Sequence, residues 1–85
     1  MDSLAQLEKS WMDLSDLERR ALKVLAREFL ETGNQRLSFW ALTTKWPGIS
    51  DQVYRKLERE GWIDLGGGEA RFLDPEYLEF VKTKL

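Results

Sequence analysis

Apolar residues along the chain recur first at helical spacing and only later in alternation. Leu4, Leu7, Trp11 and Met12 repeat at intervals of three and four, which predicts a short amphipathic helix with Ser3 as its cap and Gln6 three residues on. Ser15-Asp16-Leu17-Glu18 is a capping-box pattern. The apolar positions Leu17, Ala21, Leu22, Val24, Leu25, Phe29 and Leu30 continue from it to Gly33-Asn34 and predict a longer second helix. Leu37 marks a brief extended segment, after which Ser38 opens a third helix with Phe39, Leu42 and Trp46 on its inward stripe. Trp46-Pro47-Gly48 ends that helix, because proline disfavours helical geometry in the residue before it and glycine frees the turn.

Ser50 is the cap of a fourth helix that runs to Gly61. Within it Gln52, Arg55, Lys56 and Arg59 fall on one side at i, i+3, i+4 and i+7, while Val53, Tyr54 and Leu57 share the opposite side. After Gly61, Ile63 and Leu65 alternate with Asp64; beyond Gly66-Gly67-Gly68, Ala70 and Phe72 alternate with Glu69, Arg71 and Leu73. That is the pattern of a small antiparallel hairpin. Asp74-Pro75-Glu76 then supplies a cap, an N1 proline and a first-turn acid for a closing helix that offers Tyr77, Leu78, Val81 and Leu85 for packing. The fold class is therefore mostly α with a small β-hairpin. The expected organisation is one domain: an amphipathic helix in residues 1–14, a core in 15–73 and a closing helix in 74–85.

Composition narrows the chemistry. Eighty-five residues, 42% of them hydrophobic and including four Trp and four Phe, suffice for one core but leave a domain of marginal stability. The chain has no Cys and no His, which excludes disulfides and thiolate metal sites and removes the commonest metal ligand and general base. Helix starts account for Asp16, Asp51 and Asp74, so an enzyme is disfavoured and no cofactor or metal is expected. No run approaches the roughly 18 apolar residues that span a bilayer, and acidic Asp2 and Glu8 do not make a signal-peptide start. A cytoplasmic location is the expectation.

The net charge of −2 counts against strong non-specific nucleic-acid binding. Residues 35–73, however, hold six bases and five acids, a net charge of +1, and form the least acidic part of the chain. The fourth helix carries Asp51, Glu58 and Glu60 on the flanks of its polar stripe, with no carboxylate expected on the centre line. Such a stripe suits a DNA major groove, where Arg forks onto guanine, Gln pairs with adenine and Lys meets phosphate.

The order helix, helix-turn-helix, hairpin, helix resembles the winged-helix superfamily over residues 15–73. Within it, Ile49-Ser50-x-x-Val53-Tyr54-Arg55-x-Leu57-x-x-x-Gly61-Trp62-Ile63 is similar to a recognition helix running into its wing. The resemblance implies sequence-specific binding of double-stranded DNA, in transcription regulation or as an accessory factor in replication or mobile DNA. Ser50, Gln52, Arg55, Lys56 and Arg59 would be the contacts on the recognition helix. Lys45 and Arg36 at the ends of the helix-turn-helix would reach phosphates, and Arg71 is the one base of the wing. Asp64 and Glu69 flank the glycine tip, so the wing adds little attraction, and a tight turn explains its three glycines. Arg19, Arg20, Lys23 and Arg27 read as a solvated face pairing with Asp16, Glu28 and Glu31. Tyr54 reads as packing.

Leu4, Leu7 and Trp11 are the candidate seam of a homodimer, which would set two recognition helices one DNA turn apart. The competing reading is a winged-helix adaptor or inhibitor that contacts protein through Trp40, Trp46 or Trp62 and binds no DNA, although core packing is the expectation for at least two of these Trp.

Overall fold

The long helix α2 (Asp16–Thr32) organises the molecule, and its start shows why this segment is helical. Ser15 Oγ accepts from the Glu18 amide and Glu18 Oε1 accepts from the Ser15 amide, both at 3.2 Å, a reciprocal cap that satisfies two otherwise orphaned donors. Gly33 closes the far end with its amide on the Phe29 carbonyl. The computed structural model describes residues 4–34 and 36–85.

Around α2 stand α1 (Leu4–Met12), α3 (Phe39–Lys45), α4 (Asp51–Arg59) and α5 (Pro75–Lys82), giving five α-helices among the described residues. The sheet has three short strands rather than two: β1 (Leu37–Ser38), β2 (Ile63–Asp64) and β3 (Glu69–Phe72), antiparallel in the order β1-β3-β2. Leu37 faces Ala70, while Ile63 faces Phe72 and Asp64 faces Arg71. Ala70 and Phe72 alternate inward with Glu69 and Arg71 outward, as period-two patterning requires. Between β2 and β3 the three glycines form a 3₁₀ turn in which Gly67 and Gly68 have φ of 70° and 75°, values costly for any residue with a Cβ.

One apolar cluster runs through every helix and the sheet. Trp11, Trp62 and Phe80 meet edge-on or tilted at 6.0–6.3 Å, and Tyr77 packs on Trp62 at 5.4 Å. Leu7 and Trp11 lie inside this cluster, so the α1 residues named as a dimer seam are spent within the protomer; Leu4 alone of the three is exposed, at 69%. Lys84 of the closing segment adds an ion pair to Glu8 at 2.7 Å and holds α1 down. The expected Ser3 cap lies outside the described residues.

Five inward assignments change, beginning with Leu4 and Met12 of the α1 series, which are exposed. Leu17 and Leu30, at the ends of the α2 apolar series, are exposed, and in the closing segment Phe80 is buried where Leu85 is not. At 3.6 residues per turn Leu30 falls off the buried face of α2, whereas Leu17 stands in the first turn of that helix and Leu85 beyond the end of α5. Of the three Trp, Trp62 is buried, Trp46 half-buried and Trp40 exposed.

Tyr54 is fully buried in α4 beside the Phe39 ring, 5.7 Å away and nearly perpendicular to it. Burial pushes its phenol pKa up to about 12, and its hydroxyl finds no partner among the described protein groups. Tyr54→Phe deletes that unpaired oxygen and keeps the ring. Thermal melts are expected to show the variant as stable as the parent, or more stable by up to about 1 kcal/mol. A loss above about 1 kcal/mol would mean that the hydroxyl makes a hydrogen bond important to the fold.

Candidate nucleic-acid interface

Helix α4 has one locked side and one open side. Tyr54 and Leu57 are 0% exposed, while Gln52, Arg55 and Arg59 stand in solvent and line a shallow hollow together with Glu58. Asp51, Glu58 and Glu60 were expected on the flanks of the stripe; Glu58 in fact joins the hollow. Its Oε2 accepts the Leu65 amide at 2.9 Å, so this carboxylate is fixed by the residue that follows β2 and ties α4 to the hairpin.

Lys56 departs from the expected stripe for a related reason. Its Nζ reaches 3.2 Å to Glu18 Oε1 on α2, a carboxylate whose side chain is only 5% exposed, and lies 3.9 Å from Glu60. Burial raises the Glu18 pKa, but the Ser15 backbone and side chain together with Lys56 and Glu60 outweigh it and hold the group below its ordinary value. Glu60 moves the opposite way, raised by its own burial first and then by Glu18. Lys56 is therefore a strut between α4 and α2 before it is anything else.

Lys45 repeats the arrangement one helix earlier. Its Nζ lies 2.6 Å from Oε1 of Glu28, a second mostly buried acid of α2, and that oxygen also accepts from Trp46 Nε1 at 3.3 Å. The Glu28 hydrogen bond raises the Lys45 pKa. On the hairpin, Arg71 donates from both Nε and an Nη to Asp64 Oδ2, at 3.1 and 2.7 Å, while Asp64 Oδ1 takes the Gly66 amide. Arg71 first, then that amide, holds the Asp64 carboxyl below its usual range.

Three expected contacts, Lys45, Lys56 and Arg71, are thus already neutralised within the protein. Arg55 is partly so, with Nε 3.5 Å from Asp51 and its guanidinium 5.8 Å from the Phe39 ring centre. Among the described residues Arg59 and Arg36 make no ion pair. Arg36 sits apart from α4, beside Asp64 and the glycine turn. Ser50 occupies the N-cap position of α4, but its hydroxyl makes no capping hydrogen bond, contrary to expectation. On the basic row of α2, Arg19 pairs with Asp16 at 2.6 Å and Lys23 stands 6.0 Å over Trp11, while Glu28 goes to Lys45 instead.

The burial of the acids Glu18 and Glu28, which draws Lys56 and Lys45 toward α2, was not expected from the sequence. A signal existed: Glu18 lies three and four residues before Ala21 and Leu22, and Glu28 lies four and three after Val24 and Leu25, which puts both carboxylates on the apolar stripe of α2. A buried charge requires a partner, and the cations nearest in space are on α3 and α4.

Among the described residues no group of three or more acidic, His or Cys side chains is placed to hold a metal ion, and no helix is long and apolar enough to cross a membrane. No protein-family model, curated protein or solved structure matches the chain.

Proposed function

We propose that the chain is a winged helix-turn-helix protein that binds double-stranded DNA in a sequence-dependent way, as a small transcriptional regulator or an accessory factor in replication or mobile-DNA reactions. The observation that carries this reading is the two-sidedness of α4: Tyr54 and Leu57 fix the rod, and Gln52, Arg55 and Arg59 project from its open side. Helices α3 and α4 with the turn through buried Ile49 form the helix-turn-helix, and β2–β3 form the wing. Arg59 is the cation free to fork onto guanine, Gln52 supplies the donor and acceptor that adenine needs, and Arg55 is held by Asp51 and Phe39 at the groove edge. Arg36 meets a phosphate. Lys45, Lys56 and Arg71 position these elements. The face is only weakly cationic, so base contacts carry more of the affinity than in a basic protein.

Selection from a randomised duplex pool tests the reading: enrichment of a short motif is expected, and Gln52→Ala should relax the preference at one base pair. A pool that yields no motif would overturn it. The second reading, a protein-contact adaptor or inhibitor, is favoured by Trp40, a residue 76% exposed.

Glu18→Gln separates the strut from the DNA face. Gln serves equally at the third position of a capping box, so the start of α2 is preserved while Lys56 loses its buried counter-charge. Stability is expected to change by less than about 1 kcal/mol, because Lys56 is itself half-exposed. Duplex affinity should rise, and the slope of log K against log salt should steepen by about 0.9, one additional phosphate contact. Titrations of both proteins at several salt concentrations check this; an unchanged slope would mean that Glu60, 3.9 Å from Lys56, still holds it inward.

A further inference from the structure

Beside the open face of α4 lies a feature that duplex recognition does not use. Phe39, Trp40, Thr43 and Pro47 wall a groove of about 520 Å³ that ends at Ser50 and Asp51, where α4 begins, and at Gly68 of the wing tip. Trp40 is 76% exposed, whereas Trp11 and Trp62 are buried and Trp46 half-buried, so this indole gains little from the fold. Among the described residues that wall the groove the one charged side chain is Asp51, whose Oδ2 faces Arg55 Nε at 3.5 Å and whose Oδ1 can accept from an N–H group. Arg55, in cation–π range of the Phe39 ring at 5.8 Å, sets a positive charge at the edge of the groove.

Flat apolar walls, one acceptor at the end and one cation at the edge match a nucleotide part by part: ring, exocyclic amine and phosphate. A base within an intact duplex has both faces stacked and cannot enter. We propose that the groove takes an unpaired nucleobase stacked on Trp40, so that the protein prefers duplex DNA with a single-stranded overhang or a displaced base beside the α4 footprint. This rests on α4 binding DNA. A protein occupant is disfavoured because it would cover Ser50 and Asp51 and obstruct the same helix.

The test compares a duplex of about 20 base pairs, two helical turns, that carries the motif enriched by pool selection, with the same duplex extended by a short overhang on either strand. Fluorescence anisotropy at about 50 mM salt, where electrostatic attraction is strong, reads affinity, and quenching of tryptophan emission reads stacking. At least one overhang form should bind about fivefold tighter or better than the blunt form, the lower end of what one stacked base supplies. Trp40→Ala should remove that preference and the quenching while leaving blunt binding unchanged, and Trp40→Phe should keep most of the preference. Trp40 lies on the surface, so neither variant threatens the fold.

Equal binding of blunt and overhang forms, or equal losses on both in Trp40→Ala, would overturn base stacking while leaving duplex recognition intact. Failure of every DNA form to bind, or a shift from dimer to monomer on Trp40→Ala in sedimentation, would overturn it too; the first outcome removes the duplex reading as well.

Discussion

Trp11→Ala is expected to cost about 3–5 kcal/mol of stability, the range for deleting a large aromatic from a packed core. Trp11 is 5% exposed and meets the rings of Trp62 and Phe80, so truncation leaves a cavity that rigid aromatic neighbours cannot close. A domain of this length has a total stability of only about 4–13 kcal/mol. At about 4–8 °C per kcal/mol, the melting temperature should fall by more than about 12 °C, and α1 should lose its support. Differential scanning calorimetry at two protein concentrations checks the result. A small drop together with a concentration-dependent melt would mean that α1 packs between copies instead.

The second large effect is on binding. The double variant Arg55→Glu/Arg59→Glu should lose at least about 100-fold in duplex affinity, since the forked Arg59–base contact discriminates by about 1–3 kcal/mol and two introduced acids repel phosphate. Its stability should stay within about 0.5 kcal/mol of the parent, because both side chains are exposed and the Arg55–Asp51 pair is a surface pair. Lys56 is left unchanged on purpose. A Glu there would stand beside Glu18 and Glu60, and lost binding could no longer be told from a loosened helix.

Local signals in this chain are strong, and they are the ones that survive in the structure. The Ser15/Glu18 box, the Ser38 cap on Ala41, the Asp74-Pro75 start and the alternation around the glycine turn act over a few residues, and each element forms where those residues predict. The helix phase of α4 likewise decides that Tyr54 and Leu57 point inward. Periodicity does not report what a long cation touches. Lys56 meets Glu18 across 38 residues and Lys45 meets Glu28 across 17, distances over which only the fold brings them together. The polar stripe is consequently narrower than its sequence pattern, with Glu58 turned into it and Lys56 drawn out of it. For the same reason Trp11, which has the spacing of a seam, finds its ring partners in Phe80 on α5 and in Trp62 just before β2, and Leu7 is buried with it.

The most direct test is a salt titration of a duplex enriched by pool selection, run on the parent protein and on the Arg55→Glu/Arg59→Glu variant. With Arg36 at a phosphate and Arg55 at the groove edge as the phosphate-facing cations, the parent should give a slope of log K against log salt of about −1 to −2, at about 0.9 for each neutralised phosphate, and the folded variant should not bind measurably. Equal binding by the two proteins, or affinity indifferent to salt, would contradict the assignment of α4 as the surface that holds DNA.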